Sequence, residues 1–310
     1  MSGELDPWRR AAEVGTVGAL GLIRGFYRLC GRRLSTALLH PIATYFHLFH
    51  ADVRRDSLGY LEQLYRFPGG AEALGVRPGR RAVHRHLHEF AVNLFDRMVI
   101  WGDSLDEMDV EKERSRPLLD QARTGSGGIL VGAHLGSFDM LRLVAQQHEV
   151  AVNVLMYTDH AERINDFFEK LDPGSRVRVL GVDPTAVGTP FLIRDCVERG
   201  EFVGILADRV HPGGRERTVR VPFLGRPAVF PATPFELATV LGCPLLQCLC
   251  VRTGNARYET LALPLFEGGR VPRGERDATA RALVEDYVAE LERWCLRAPY
   301  QWFNFYDFWA

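Results

Sequence analysis

Two hydropathy patterns divide the chain. Between residues 52 and 123, apolar positions recur at helical spacing: Leu58, Leu61, Leu64 and Tyr65 in one stretch, Phe90, Leu94 and Met98 in another. Pro68-Gly69-Gly70 and Pro78-Gly79 punctuate them, and the charged stretch 103–116 reads as a solvated helix. From Gly127 onward, short β-branched apolar runs alternate with helical segments, the pattern of βαβ units around a largely parallel sheet. The predicted strands are 129–133, 152–156, 177–180, 203–207, 218–221, 245–251 and 258–263; the predicted helices are 139–147, 161–171, 190–199, 234–241 and 278–296. The expectation is an α/β fold, a mostly parallel central sheet flanked by helices, with a helical portion before it.

The N-terminal stretch has a character of its own. Over residues 8–50, apolar side chains such as Val14, Leu20, Ile23 and Phe26 are mixed with arginines, and residues 1–50 hold six arginines against Glu4, Asp6 and Glu13. A basic apolar segment bearing Trp and Phe can lie in a bilayer interface with its arginines at the headgroups. The same pattern suits a helix packed on its own domain, and amphipathicity does not separate the two. Neither apolar run, 14–23 (broken by Arg24) or 34–49 (interrupted by Pro41 and histidines), reaches the roughly 20 residues of a spanning helix. The expected division is a membrane-associating segment over 1–50 and an α/β domain over 51–310.

Composition narrows the class. With 310 residues, 46% hydrophobic and 25% charged, the chain can bury a sizeable core. A net charge of −1 leaves no basic field for nucleic acid. Of 38 basic residues only Lys112 and Lys170 are lysine, so the arginine count is a compositional bias and no phosphate-binding signal in itself. The six cysteines show no C-x-x-C pair and no secretory leader precedes them, so reduced core thiols on the cytosolic side are expected.

Candidate chemistry concentrates at two strand ends. In Gly128-Ile129-Leu130-Val131-Gly132-Ala133-His134-Leu135-Gly136-Ser137-Phe138-Asp139 a buried strand runs into a histidine, with a helix starting a few residues later. Gly136 is free to bend and Ser137 able to cap, so the turn can return Asp139 to a ring nitrogen of His134. An imidazole oriented by a carboxylate is what deprotonates a hydroxyl attacking a carbonyl. A capped surface histidine would explain this pair equally well. The second segment, Gly204 to Arg209, ends an apolar strand at Asp208-Arg209 and is followed by the loop His211-Pro212-Gly213-Gly214-Arg215 and by Phe223-Leu224-Gly225-Arg226-Pro227-Ala228. Its plain reading is a salt-bridged strand end followed by ordinary turns.

Together, and about seventy residues apart, His134-x4-Asp139, Asp208-Arg209 and Phe223 to Ala228 resemble the lipid A biosynthesis acyltransferase family, the lauroyl/myristoyl branch of the lysophospholipid acyltransferase superfamily. The resemblance covers about residues 80–265. The chain departs from it between the motifs, where the stretch 157–181 has Arg163, Arg176 and Arg178 as its only arginines. The closing segment Gln301 to Trp309 resembles relatives found with aryl-polyene type lipid pathways, so the acceptor need not be lipid A.

The resemblance implies a glycerolipid acyltransferase-like fold and transfer of an acyl group from acyl carrier protein or acyl-coenzyme A to a hydroxyl or amine of a lipid acceptor. It implies no cofactor and no metal, and a peripheral or monotopic position on the cytoplasmic face of the bacterial inner membrane. His134 would be the general base and Asp139 its orienting partner. Gly136, Ser137, Asp208, Arg209, Phe223, Gly225 and Pro227 would contact substrate, with Arg209 and a backbone N–H near Gly136 as oxyanion donors. Arg215, Arg217 and Arg220 would suit an acidic carrier protein. The tail, six aromatics in nine residues, is expected to be buried on the domain.

Other chemistries fit less well. His84 and His88 have a zinc-like i,i+4 spacing, yet no third ligand follows at a recognisable offset. No Gly-x-Ser-x-Gly elbow and no phosphate-binding loop occurs. A non-catalytic lipid-binding protein that retains the fold is the alternative from a different class.

Overall fold

A computed structural model describes residues 17–101, 108–111, 113–138, 140, 145, 148–156, 177–181, 188–210 and 217–309. Asp139, most of the predicted helix 139–147, all of helix 161–171, Arg163, Arg176 and the loop 211–215 lie outside them.

The N-terminal portion is helical: α1 (Val17–Ala37), α2 (Leu39–Phe49), α3 (Ala51–Arg66), the short α4 (Gly70–Leu74) and α5 (Arg80–Trp101). Non-helical backbone at Gly31 interrupts α1, and beyond that break Arg32 turns inward. Its guanidinium forms a two-pronged pair with the fully buried Asp96 of α5, which also accepts the hydroxyl of Tyr258. The α1 and α2 helices therefore pack on the rest of the protein through α5. The outer side of α2 remains apolar. Leu38 just before α2 and Ile42, Tyr45 and Phe49 within it, at i, i+4, i+7 and i+11, are all about half exposed or more. Among the described residues no helix is long and apolar enough to cross a membrane.

Strand β1 (Asp109–Glu111) and a 3-10 turn over Glu113–Ser115 follow, then α6 (Arg116–Arg123). Over the described residues 108–111 and 113–115 this corrects the expected solvated helix; 103–107 and 112 lie outside the described residues. A three-residue strand is too short to show a period-2 pattern, and its hydrogen bonds come from the distant edge strand that it joins, Val110 pairing with Tyr258. The α/β part continues with β2 (Gly128–Gly132), β3 (Val152–Met156), β4 (Val177–Gly181), α7 (Thr189–Glu198), β5 (Phe202–Leu206), β6 (Thr218–Phe223), β7 (Arg226–Pro231), α8 (Thr233–Leu241), β8 (Leu245–Gly254), β9 (Arg257–Phe266) and α9 (Arg276–Arg297).

Seven of these strands form one sheet in the order β1-β9-β8-β2-β5-β3-β4. Every neighbouring pair is parallel except β8 with β9, so the fold is α/β with a mostly parallel sheet flanked by helices. Strand β2 is central and buried at every position, as a continuous apolar run between two helical layers should be. Predicted strand 218–221 belongs elsewhere: β6 pairs antiparallel with β7 in a separate hairpin. The two-residue turn that joins them, Leu224-Gly225, has positive φ at both positions (51° and 81°), the backbone of a type I′ hairpin. That connection cannot feed a parallel strand.

Candidate functional site

Register brings the site together. In the β2–β5 ladder Gly132 stands opposite Leu206. Two residues further along each strand come His134 and Asp208, side by side at the carboxyl edge of the sheet, the edge where open α/β folds bind ligands. His134 Nδ1 lies 2.7 Å from Asp208 Oδ1, and the backbone N–H of His134 donates to Oδ2 at 2.9 Å. A carboxylate only accepts, so Nδ1 carries the proton, and in the neutral ring Nε2 is the nitrogen with the lone pair. Among the described residues nothing bonds Nε2, and the ring is 29% exposed, within reach of a ligand. The fixed tautomer and open second nitrogen are the requirements of a general base.

Asp208 itself is fully buried. Besides His134, Oδ2 accepts the indole N–H of Trp302 at 3.0 Å and the side-chain amide of Asn304 at 3.1 Å. Burial alone would raise its pKa; the charge and hydrogen bonds of His134, with Arg209 nearby, overcome that and hold the carboxyl well below its usual range. It is a permanent anion at neutral pH. The sequence reading gives Asp208 to substrate and the orienting role to Asp139. In the structure Asp208 has no exposed surface, and its donors are His134, Trp302 and Asn304. Asp139 lies outside the described residues.

The C-terminal tail completes the site as an added strand. Leu135 and Trp302 form an antiparallel bridge; Phe303 N donates to His134 O at 2.7 Å, and Gly136 N to Gln301 O at 2.8 Å. Arg209 fastens the tail from the other side, through Nε to Asn304 Oδ1 and Nη2 to Phe303 O at 2.8 Å. Trp302 is fully buried among Tyr60, Phe223 and Phe308. Its carbonyl accepts the Nε2–H of His86 at 2.9 Å, while His86 Nδ1 faces the Ser57 hydroxyl at 2.9 Å. Burial pushes the His86 pKa down to about 4, so this second imidazole is neutral and structural. The expectation that the tail is buried holds for Gln301 to Asn304, while Phe305, Phe308 and Trp309 are half-buried and Tyr306 is exposed; that it supplies two donors to the site was visible in no motif.

The remaining expected residues sort by position. Gly136 takes φ +66°, and its amide is used by Gln301; Ser137 N donates to Cys250 O at 2.7 Å. These two amides are engaged within the fold. The buried Ser137 hydroxyl has no hydrogen-bond partner among the described residues, so it caps nothing there. Among the described residues Arg209 bonds through Nε and Nη2 and not through Nη1. Phe223 is fully buried against Trp302 and Trp309, packed behind the indole that bonds Asp208. Gly225 and Pro227 sit on the exposed hairpin, which is anchored by Gln63 Nε2 on Leu224 O and Glu292 Oε1 on Leu224 N. Arg217 and Arg220 are in β6 or just before it, with Arg217 paired to Glu236 and Asp277.

The three histidines His40, His84 and His88 meet between α2 and α5. His40 stacks on His88 with centroids 3.8 Å apart and on His84 at 5.7 Å. Among the described residues no group of three or more His, Cys, Asp or Glu has an arrangement that could hold a metal ion.

Residues 86–310 match the family described as bacterial lipid A biosynthesis acyltransferase. No curated protein matches the chain at a significant level.

Proposed function

The chain belongs to the bacterial lipid A biosynthesis acyltransferase family, and from that premise we propose that it moves a fatty acyl group from a thioester donor to a hydroxyl of a lipid with His134 as general base. The observation that carries this reading is the His134–Asp208 pair, with Nδ1 held at 2.7 Å by a buried carboxylate and Nε2 open.

The chemistry needs nothing more elaborate. Nε2 removes the proton of the acceptor hydroxyl as its oxygen attacks the thioester carbonyl carbon. Asp208 stabilises the imidazolium that forms. The oxyanion of the tetrahedral intermediate is met by Arg209 Nη1 in this reading. Collapse breaks the carbon–sulfur bond, and the imidazolium returns its proton to the departing thiolate. Because the thioester is already activated, no protein nucleophile, cofactor or metal enters the cycle. Asp139 is kept as a candidate for contacts on the helix side of His134, secondary to Asp208.

Acyl carrier protein or coenzyme A would deliver the acyl chain. The resemblance of the closing segment to relatives found with aryl-polyene type lipid pathways supports an acceptor of that branch over lipid A. The apolar outer face of α2 supports rest on the cytoplasmic surface of the inner membrane.

The decisive experiment offers labelled acyl carrier protein and acyl-coenzyme A separately to the purified protein in detergent with a total lipid extract. Label should appear in a new lipid with one donor and be lost in His134→Ala, whose fold is checked by circular dichroism. Folded protein that transfers from neither donor, yet keeps a co-purifying lipid, would instead be a lipid-binding relative.

A further inference from the structure

We propose that the cleft between α5, the end of β8 and the C-terminus of α9 is a binding site for a phosphate ester. It is a cavity of about 420 Å³ that opens beside the carboxyl edge of the sheet, and Arg85, Arg252 and Arg297 reach it from those three elements. Gln301 joins it to the His134 loop. Its side chain bonds both backbone groups of Arg252 (2.8 and 2.7 Å), and its carbonyl accepts the N–H of Gly136, two residues from His134.

Charge decides what the cleft accepts. Glu89 is the carboxylate of its lining and pairs with Arg252. Behind it Glu259 serves both Arg297 and Arg114, so four guanidiniums stand against two carboxylates and two positive charges are left over. The surplus centres on Arg85. Its guanidinium carbon lies 4.2 Å over the ring of Tyr300, and no carboxylate pairs with it among the described residues. Stacking occupies the face of a guanidinium and leaves its in-plane N–H fork for a ligand. A lone carboxylate would neutralise half of the excess. A phosphate monoester or a pyrophosphate diester carries close to two negative charges and accepts from such forks in pairs.

The site stands on this geometry alone; naming its source rests on the acyl-transfer reading, in which the phosphate belongs either to the donor's pantetheine arm or to the acceptor's headgroup. Isothermal titration of the full-length protein separates them. The probes are pyrophosphate, coenzyme A, pantetheine, dihexanoyl phosphatidic acid and dihexanoylglycerol, and the proteins are wild type, Arg85→Ala, Arg85→Lys and His134→Ala. Pyrophosphate should bind, Arg85→Ala should weaken it about tenfold or more, and Arg85→Lys should restore part of the loss. Coenzyme A binding where pantetheine does not assigns the site to the donor; dihexanoyl phosphatidic acid binding where dihexanoylglycerol does not assigns it to the acceptor. His134→Ala should bind as wild type, so that a protein without transferase activity still reports on the cleft. Phosphate-bearing probes that do not bind, or that bind Arg85→Ala as tightly as wild type, would overturn the proposal.

Discussion

Trp302 and Asp208, ninety-four residues apart, meet through an indole N–H 3.0 Å from a carboxylate oxygen, and that carboxylate holds His134. The last strand-like segment of the chain is therefore part of the support of the first motif. Trp302→Phe keeps the packed ring and deletes one donor, leaving His134 N–H and Asn304 on Asp208. Removing one hydrogen bond to a charged group costs about 1.5–3 kcal/mol. We expect a folded protein with a lower urea midpoint and transfer reduced about tenfold or more. A Trp302→Phe enzyme with the wild-type rate would show that the tail merely packs.

Asp208→Asn tests the anion itself. The amide can no longer fix the Nδ1–H tautomer or offset an imidazolium, and comparable changes in catalytic triads cost on the order of 10⁴ in rate. Its stability signature has a defined sign. Because the folded-state pKa lies well below the unfolded one, Asp208 stabilises the protein above the ordinary carboxylate pKa of about 4. That contribution is lost as pH falls from there toward the folded value. The gap in unfolding free energy between wild type and Asp208→Asn should be constant at neutral pH and narrow below about pH 4. A gap that widens on acidification would contradict the assignment.

His86 predicts the opposite end of the acid range. Its folded pKa of about 4 lies below the unfolded value near 6.5, so between these limits only the unfolded chain takes up a proton. Stability from this group is complete above about pH 6.5 and declines toward pH 4, by roughly 3 kcal/mol in all at 1.36 kcal/mol per unit. Urea titrations of wild type and His86→Gln at successive pH values should show this slope in wild type and its loss in the variant.

Gly136 is where the chain leaves β2 and squeezes between β8 and the tail. A Cβ built there would stand 1.9 Å from the carbonyl oxygen of Cys250, and its φ of +66° disfavours any side chain. The obstacle is backbone, so it cannot rotate away. Gly136→Ala should destabilise by more than about 2 kcal/mol and depress transfer by moving His134. A neutral melting temperature would mean that the strand end is looser than it looks.

How much of this the chain announces in its sequence follows from the range of each interaction. Strands β2, β3, β5 and β8 and helices α7, α8 and α9 are legible because their patterns are local: β-branched runs for the first, helical spacing for the second. Strand β1 is invisible because three residues carry no period and their pairing with β9 spans more than a hundred positions. The same distinction governs the site. His134 and Asp208 each stand out at a strand end, but that they face one another depends on β2 lying beside β5, a fact of the sheet order. His134-x4-Asp139 suggests a nearer partner only because proximity in sequence is the one proximity a sequence displays. Trp302 and Asn304 look like any aromatic tail until the tail is laid along Leu135.

The outer face of α2 offers a test independent of chemistry. Ile42 and Phe49 are about half and about 70% exposed, on one side of the helix. Each apolar side chain buried in a bilayer interface contributes up to about 1.5–3 kcal/mol, and the partial exposure of these two halves that figure. Ile42→Glu/Phe49→Glu should therefore weaken co-sedimentation with vesicles of phosphatidylethanolamine and phosphatidylglycerol about tenfold or more, at 1.4 kcal/mol per factor of ten. Thermal stability should change little, since neither side chain packs inward. Transfer to a soluble short-chain acceptor should also be retained while transfer to vesicle-borne lipid falls, which separates a docking face from a damaged enzyme. Equal vesicle binding by the two proteins would remove α2 from the membrane contact and leave its apolar side for a protein partner.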